Sequence, residues 1–550
     1  MSSLPLGNMA RLLPKRSDYA GLTSSWRRDI LAGLTVGVVA LPLALAFGIS
    51  SGVGAAAGLV TAVIAGVVAA VFGGSHVQVS GPTGAMAVVL APIVAHYGLG
   101  SVALVTVVAG IIVIIAGATG LGRAVTFIPW PVIEGFTLGI AVIIFLQQVP
   151  AAVGQATPQG QGPLAAAIHV LRVAEPASAG PALIVVAVAV VLMLVLARVH
   201  PAIPGSLLAV IAATALVVVS HIATPRIGVL PAELPAPLLP HIDFGSVHAL
   251  GGAALAVAAL AAIESLLSAR VAATMSPTGP YDPNRELVGQ GLASVAAGMF
   301  GGMPATGAIA RTAVNVRSGA RTRVAAVSHS ILLLAVVYLV SGPVGAIPLA
   351  ALAAVLMVTS CRMISARTIA RIMRSTRADA ATFILTAVVT IGFDLIEAVE
   401  IGIVLTGVFA LRAVARRASV TREELPGPAQ SGDERIAVLR LDGAMFFGAA
   451  ERIWSTILDA KHPDTTVVII RLSQLGMLDA TGAHTLAQIA EELEACGITV
   501  IIKGVQTEHK DLLTNVGILE SLRHEKHLID NLDDAIAHAR SHAVSGRTPN

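Results

Sequence analysis

Ser80-Gly81-Pro82-Thr83-Gly84-Ala85-Met86-Ala87 decides the fold, because its second half recurs 223 residues later. The second copy reads Thr306-Gly307-Ala308-Ile309-Ala310 and follows Gly301-Gly302-Met303-Pro304. Both copies lie in deeply apolar sequence. A Pro at or just before a helix start, with glycines ahead of it, marks a chain break followed by a helix N-terminus. The chain is therefore expected to hold two half-helices that begin inside a membrane. Interrupted segments at matching places in two halves point to the binding site of a transporter built from a structural repeat.

The composition agrees. Only 12% of the 550 residues are charged and 55% are hydrophobic, against about 25% charged in a soluble protein. Mean hydropathy is +0.83. The 93 residues from Ile30 to Gly122 contain no Asp, Glu, Lys or Arg, room for three or four spans of roughly 20 residues each. No Lys stands between Lys15 and Lys461. The net charge of +3 reads as an inside-positive membrane protein rather than a nucleic-acid binder. Lys15, Arg16, Arg27 and Arg28 precede the first apolar run, so no cleavable signal peptide is expected. Cys361 and Cys496 are the only cysteines, and no disulfide framework follows from them.

Residues 1–29 read as a basic cytoplasmic arm and 30–415 as the transmembrane domain. Fourteen spans are expected near 30–49, 53–72, 82–96, 99–119, 125–149, 181–198, 205–222, 249–273, 287–300, 305–318, 322–341, 347–364, 379–394 and 397–414. The third and tenth are the half-helices. With a cytoplasmic N-terminus, Arg123, Arg198, Arg285, Arg317, Arg321 and Arg323 fall inside. So do the five arginines from Arg362 to Arg377, and then Arg412, Arg416 and Arg417. Arg172 and Arg226 fall in outside loops, 151–180 and 222–248, which read as irregular. An odd count would break this pattern. Residues 416–434 read as a linker, around Leu425-Pro426-Gly427-Pro428. Strand-like and helix-like runs then alternate over 435–543, the pattern of a small α/β domain. Residues 544–550 are a tail.

Each half-helix N-terminus carries about +0.5 charge and unpaired N–H groups. Two of them make an anion site of roughly +1 that needs no side chain. Thr83, Gly84, Ala85, Thr306, Gly307 and Ala308 are its expected lining, with the glycines allowing close approach to the backbone. Phe47 could supply an apolar wall. Arg311 is placed just over one turn into the second half-helix, facing the site or a paired acid. A membrane-embedded Arg costs about 2.5–3.5 kcal/mol on insertion scales. Glu264 is expected mid-span, where an unpaired carboxylate is neutralised by a proton or a cation. Ser268, four residues on, shares its helix face. Glu134 reads as interfacial. None of the 15 His residues falls into a metal-ligand spacing, so no resident metal or cofactor is expected, Na⁺ or H⁺ at Glu264 and Ser268 excepted. No enzyme chemistry and no nucleic-acid site are legible.

Asp29-Ile30-Leu31-Ala32-Gly33-Leu34-Thr35-Val36, Ser80-Gly81-Pro82-Thr83-Gly84-Ala85, Ala262-Ile263-Glu264-Ser265-Leu266-Leu267-Ser268, Arg311-Thr312-Ala313-Val314-Asn315 and Leu478-Asp479-Ala480-Thr481-Gly482 resemble, in that order, motifs of the SulP/SLC26 anion transporters with a C-terminal STAS domain. The resemblance implies an α-helical membrane protein of 14 spans as a 7+7 inverted repeat with core and gate domains. It also implies elevator-type transport, a homodimer in the inner membrane, cytoplasmic termini and a cytoplasmic STAS domain that could dock a protein partner. Substrates implied are sulfate or bicarbonate, by symport with H⁺ or Na⁺. A C4-dicarboxylate transporter, and an anion channel or sensor signalling through the STAS domain, are the alternatives. Many members carry Gln where Leu43 stands. Sodium-coupled members carry Asp, Thr and Thr where Glu264, Ser268 and Ile309 stand, which tilts the expectation toward protons. Thr481 occupies the position of the phosphorylated Ser in related anti-sigma antagonists.

Overall fold

The computed structural model describes residues 12–545 except 13, 20–21, 124–129, 159–160, 200–203, 241–243, 393–406, 409–410, 413–414, 416–417, 447–448, 460–463, 519, 523 and 525–526. It divides into two compact units, Met1–Ile403 and Val404–Asn550.

The first unit is helical. Its helices are α1 (Leu22–Ser50), α2 (Ala55–Phe72), α3 (Gly84–Tyr97), α4 (Gly100–Ala118), α5 (Trp130–Ala152), α6 (Pro163–Val173), α7 (Pro176–Val199), α8 (Gly205–Val219), α9 (Phe244–Met275), α10 (Pro283–Met299), α11 (Ile309–Arg317), α12 (Arg323–Gly345), α13 (Leu349–Met363), α14 (Ala366–Met373) and α15 (Arg377–Gly392). Among the described residues, eight helices are long and apolar enough to cross a membrane. Helices occupy thirteen of the fourteen expected span positions. The expected span at 397–414 falls almost wholly outside the described residues, as do Arg416, Arg417 and the start of the fifth span.

α1 begins at Leu22, within the segment read as the arm. Asp29 is fully buried there and accepts from the N–H groups of Arg321 (2.6 Å) and Thr322 (3.1 Å), so its carboxylate fastens the start of α12. The segment 151–180, expected to be an irregular outside loop, contains α6, which opens with Pro163 in the first turn, a position where the missing N–H costs nothing. Glycine pairs let helices touch, as small residues do in membranes. A Cβ on Gly110 of α4 would lie 2.7 Å from the Gly291 carbonyl of α10.

Two short strands interrupt the helices. β1 (Ser80–Gly81) and β2 (Thr306–Gly307) pair antiparallel, Ser80 opposite Gly307 and Gly81 opposite Thr306. The two repeated motifs therefore cross each other immediately before their helices begin.

The second unit is an α/β domain. Its sheet has the order β3 (Ser419–Glu423), β4 (Ile436–Met445), β5 (Val467–Leu478), β6 (Thr499–Lys503), β7 (Leu528–Ile529). β3 runs antiparallel to β4 and the other neighbours are parallel. The helices are α16 (Ala450–Asp459), α17 (Ala480–Ala495), α18 (Thr507–Asn515) and α19 (Leu532–Ser545). β5 and β6 read Val-Val-Ile-Ile and Val-Ile-Ile and are buried on both faces, as parallel strands between helices must be. The segment taken for a linker carries β3. Glu423 on this edge strand accepts from Arg440 (2.7 Å) and Arg471 (2.9 Å) of β4 and β5.

Candidate functional site

Pro82 and Pro304 end the backbone runs that lead into the two breaks, and each break is followed by a short helix. α3 begins at Gly84 with Thr83 as its cap, the Thr83 hydroxyl accepting from the Met86 N–H at 3.4 Å. This is the usual role of Thr at that position. The first intrahelical bond is Ala87 N–H to the Thr83 carbonyl, 3.0 Å. The N–H groups of Gly84 and Ala85 lie ahead of it and have no acceptor within the helix. α11 starts later in its motif. Thr306 and Gly307 belong to β2, Ala308 is the cap and supplies no side-chain bond. The Ala308 N–H donates to the Val79 carbonyl at 2.8 Å, and Thr312 N–H closes the first turn onto Ala308 at 2.8 Å.

The breaks are joined by one carboxylate. Glu264, half-buried on α9, receives hydrogen bonds at Oε2 from the hydroxyls of Thr83 and Thr306, both at 2.7 Å. Those two hydroxyls are themselves 3.1 Å apart. Ser265, the next residue, accepts from the Gly307 N–H at 3.1 Å. Ser268 shares its hydroxyl with Thr312 at 3.2 Å, and Thr312 also accepts from the Val79 N–H at 3.0 Å. Ser265, Ser268, Thr306 and Thr312 are fully buried. α9 thus holds the crossing through Glu264 and Ser268, one turn apart at the i, i+4 spacing, and through Ser265 beside Glu264.

Arg311 lies in the first turn of α11, not a turn further on as its distance from Thr306 suggested. It is 2% exposed, so it does not reach for the membrane surface. Its Nη2 donates to the Pro82 carbonyl at 2.5 Å, in the break before α3, and its Nη1 has no partner among the described residues. Nη1 sits over Gly81: a Cβ there would be 2.8 Å from it, and φ of 153° at Gly81 disfavours a side chain in any case. Among the described residues Glu264 forms no ion pair with Arg311 or Arg270. A cation in a helix's first turn opposes the helix dipole, and a buried guanidinium with a free N–H lacks compensation. Both deficits are relieved by an anion.

The glycines have a second reason to be glycine. A Cβ on Gly84 would meet Ile144 Cδ1 at 2.4 Å and Phe47 Cε1 at 3.2 Å. One on Gly307 would meet Gln78 Nε2 at 1.8 Å and Ser268 Cβ at 3.0 Å. The space a Cβ would take at these two positions is filled by protein side chains. Phe47 is 7% exposed and walls the start of α3, beside buried Ala85. Ala308 is buried at 7%. Glu134 accepts from the Trp130 indole at 3.0 Å, away from the crossing. In the α/β domain, Asp479 caps α17 by accepting from the Gly482 N–H at 2.7 Å, and Thr481 is exposed in the first turn.

Sequence reasoning missed the polar residues that brace the crossing. Gln290 donates to the Ser80 hydroxyl and, at 3.1 Å, to Glu286. Gln78 donates to the Ser265 carbonyl at 3.3 Å. Thr61 accepts from the Met303 N–H at 2.7 Å, just before Pro304. Each is a polar residue in an apolar helix or at its edge, and that contrast was the available signal.

Comparison with known proteins is consistent along the whole chain. The profile of the sulfate permease family matches residues 26–386, and that of the STAS domain residues 428–535. The chain is 34% identical over 515 residues to the putative sulfate transporter YvdB of Bacillus subtilis, covering 92% of this chain and 97% of that protein. It is 30% identical over 538 residues to the bicarbonate transporter BicA of Synechocystis, covering 93% and 94%. Among solved structures, the transmembrane domain of a cyanobacterial BicA superposes with a TM-score of 0.62 at 33% identity, covering 68% of this chain and 97% of that one. The murine anion transporter Slc26a9, inward-facing, superposes with a TM-score of 0.85, covering 98% and 96%; at 16% identity it speaks for the fold alone.

Proposed function

As the chain belongs to the sulfate permease (SulP/SLC26) family and carries a STAS domain, we propose that it is a multi-pass secondary transporter of a small inorganic oxyanion, sulfate or bicarbonate. It is a transporter and not an enzyme. The observation that carries this reading is the single carboxylate of Glu264 bridging Thr83 and Thr306, 2.7 Å from each. It ties the two half-helix starts into one unit beside the unpartnered Arg311 Nη1.

The anion is held by the open N–H groups at the starts of α3 and α11 and by Arg311. Two dipole ends and one guanidinium give about +2, lowered to about +1 while Glu264 is ionised. Neutralising Glu264 restores the charge balance for a divalent ion. Protons suit this role better than Na⁺. Both hydroxyls already donate to Glu264 Oε2, and Ser268 shares its hydroxyl with Thr312. A hard cation such as Na⁺ takes several oxygen ligands, and Ile309 adds none to Glu264 and Ser268. Alternating access is of the elevator type, α3 and α11 moving as a body with α9, which grips both. The chain works as a homodimer in the inner membrane, with both termini and the STAS domain in the cytoplasm, where the domain could dock a protein partner.

The test is uptake into proteoliposomes of radiolabelled sulfate, bicarbonate and a C4-dicarboxylate under an imposed pH gradient. Concentrative uptake of sulfate or bicarbonate, and none of the dicarboxylate, is expected. Dicarboxylate accumulation, or anion flux that never exceeds equilibrium, contradicts the reading.

A further inference from the structure

Three histidines of the α/β domain, distant in sequence from the anion site and not needed for it, come together at one end of the sheet. His527 leads into β7, which pairs with β6 through Ile502–Leu528 and Lys503–Ile529. His538 and His542 lie one turn apart on α19, where residues i and i+4 share a face. Their Nε2 atoms are 3.4 Å apart. The His527 ring lies 5.3 Å from each of the other two rings, and the candidate ligand nitrogens of all three fall within 4.8 Å of one another.

His527 is 3% exposed and its Nδ1 has no hydrogen-bond partner. A buried ring nitrogen left unpaired is unfavourable unless something fills it. Four-coordinate zinc with Zn–N bonds of roughly 2.0–2.1 Å sets its ligand nitrogens about 3.3–3.4 Å apart. The His538–His542 separation already has that value.

We propose that His527, His538 and His542 form a divalent transition-metal site of the zinc class, with three imidazole ligands and a fourth position open to water or to a partner's side chain. The ion would fasten α19 to the β6–β7 edge of the sheet. The sequence reading expected no resident metal, because the third ligand stands eleven residues before the His538-x-x-x-His542 pair and only the turn between β7 and α19 brings it in. His524, exposed on the preceding loop and 6.3 Å from His527 between ring centroids, is outside the trio.

The experiment uses the tag-free full-length protein in detergent, stripped with EDTA and titrated with Zn²⁺ alone against a competing chelating dye. Wild type should bind one more equivalent than the His538→Gln/His542→Gln double variant, and His524→Gln should match wild type. Adding Zn²⁺ should raise the thermal midpoint of the domain in wild type only. His542→Ala, at a half-exposed position, serves as second variant should the double variant fail to fold, and should weaken zinc binding at least tenfold. Equal zinc uptake by wild type and variants, or no midpoint shift in wild type, overturns the proposal and leaves a packed histidine cluster.

Discussion

α3 and α11 begin from the same five-residue motif and are built differently. α3 starts one residue into its copy, is capped by Thr83 and runs 14 residues with no charge. α11 starts three residues into its copy, has no side-chain cap, runs nine residues and carries Arg311 in its first turn. In α3 one Thr hydroxyl both caps the helix and holds Glu264. In α11 the matching Thr306 is drawn into β2 and serves only the bridge to Glu264 and Thr83. Sequence repetition thus fixes where the breaks lie, and the surroundings decide which end is satisfied internally. The less satisfied end, with its guanidinium, is where a ligand gains most.

The sharpest way to break this comparison is Arg311→Ala. The change removes the charge at the site and also leaves the buried Pro82 carbonyl without its donor. Anion binding should weaken at least tenfold, with a loss of stability of about 1–3 kcal/mol from the orphaned carbonyl. Equilibrium binding of labelled sulfate and a thermal melt check both, and unchanged affinity would remove Arg311 from the site. Next in size is the glycine pair. Gly307→Ala drives a Cβ into Gln78, which is held by the Ser265 carbonyl. Gly84→Ala meets the terminal methyl of Ile144, which can rotate aside. Both lie in the overpacking range of about 1–3 kcal/mol, Gly307→Ala at its upper end, and thermal unfolding should rank them in that order.

The hydroxyls sharpen the comparison further. Thr83→Val removes a cap and a bond to a carboxylate, while Thr306→Val removes only the bond. The first should cost about 1 kcal/mol more than the second, the usual worth of an N-cap; equal losses would mean the cap at α3 contributes nothing. The smallest effect contrasts Glu264, held by neutral hydroxyls, with Glu423, held by arginines. Partial burial raises the Glu423 carboxyl, but the bonds and charges of Arg471 and Arg440 outweigh it and hold it below its ordinary value. A depressed carboxylate stabilises the fold above its unfolded value of about 4.3, and that contribution is lost as pH falls through the folded value. Glu423→Gln should therefore lower domain stability by about 0.5–1 kcal/mol at pH 7 and by less as the pH is brought down below the unfolded value, as read by denaturant unfolding across that range.

Sequence showed the two breaks because Pro and Gly act locally, and it pointed to α9 because Glu264 is the one acid in an apolar helix. It did not show that β1 and β2 pair, because the partners are more than 200 residues apart and neither is long enough to read as a strand. The later start of α11 was hidden for the same reason: Thr306 and Gly307 are taken by the pairing with Ser80 and Gly81. β3 was hidden in a polar stretch, since an exposed edge strand needs no apolar alternation. The histidine trio was hidden because one ligand comes from a different element than the other two.

The account stands or falls on Glu264 as the group whose neutralisation couples ion and anion. Wild type and Glu264→Gln should be compared in proteoliposomes, measuring anion exchange at equilibrium and accumulation under an imposed pH gradient, then a Na⁺ gradient. Gln is nearly isosteric and permanently neutral, and its carbonyl can still accept from Thr83 and Thr306. The variant should keep exchange and lose pH-driven accumulation at least tenfold, with the Na⁺ gradient ineffective in both proteins. Undiminished accumulation by Glu264→Gln would contradict the account and make Glu264 a structural tie between the two half-helices.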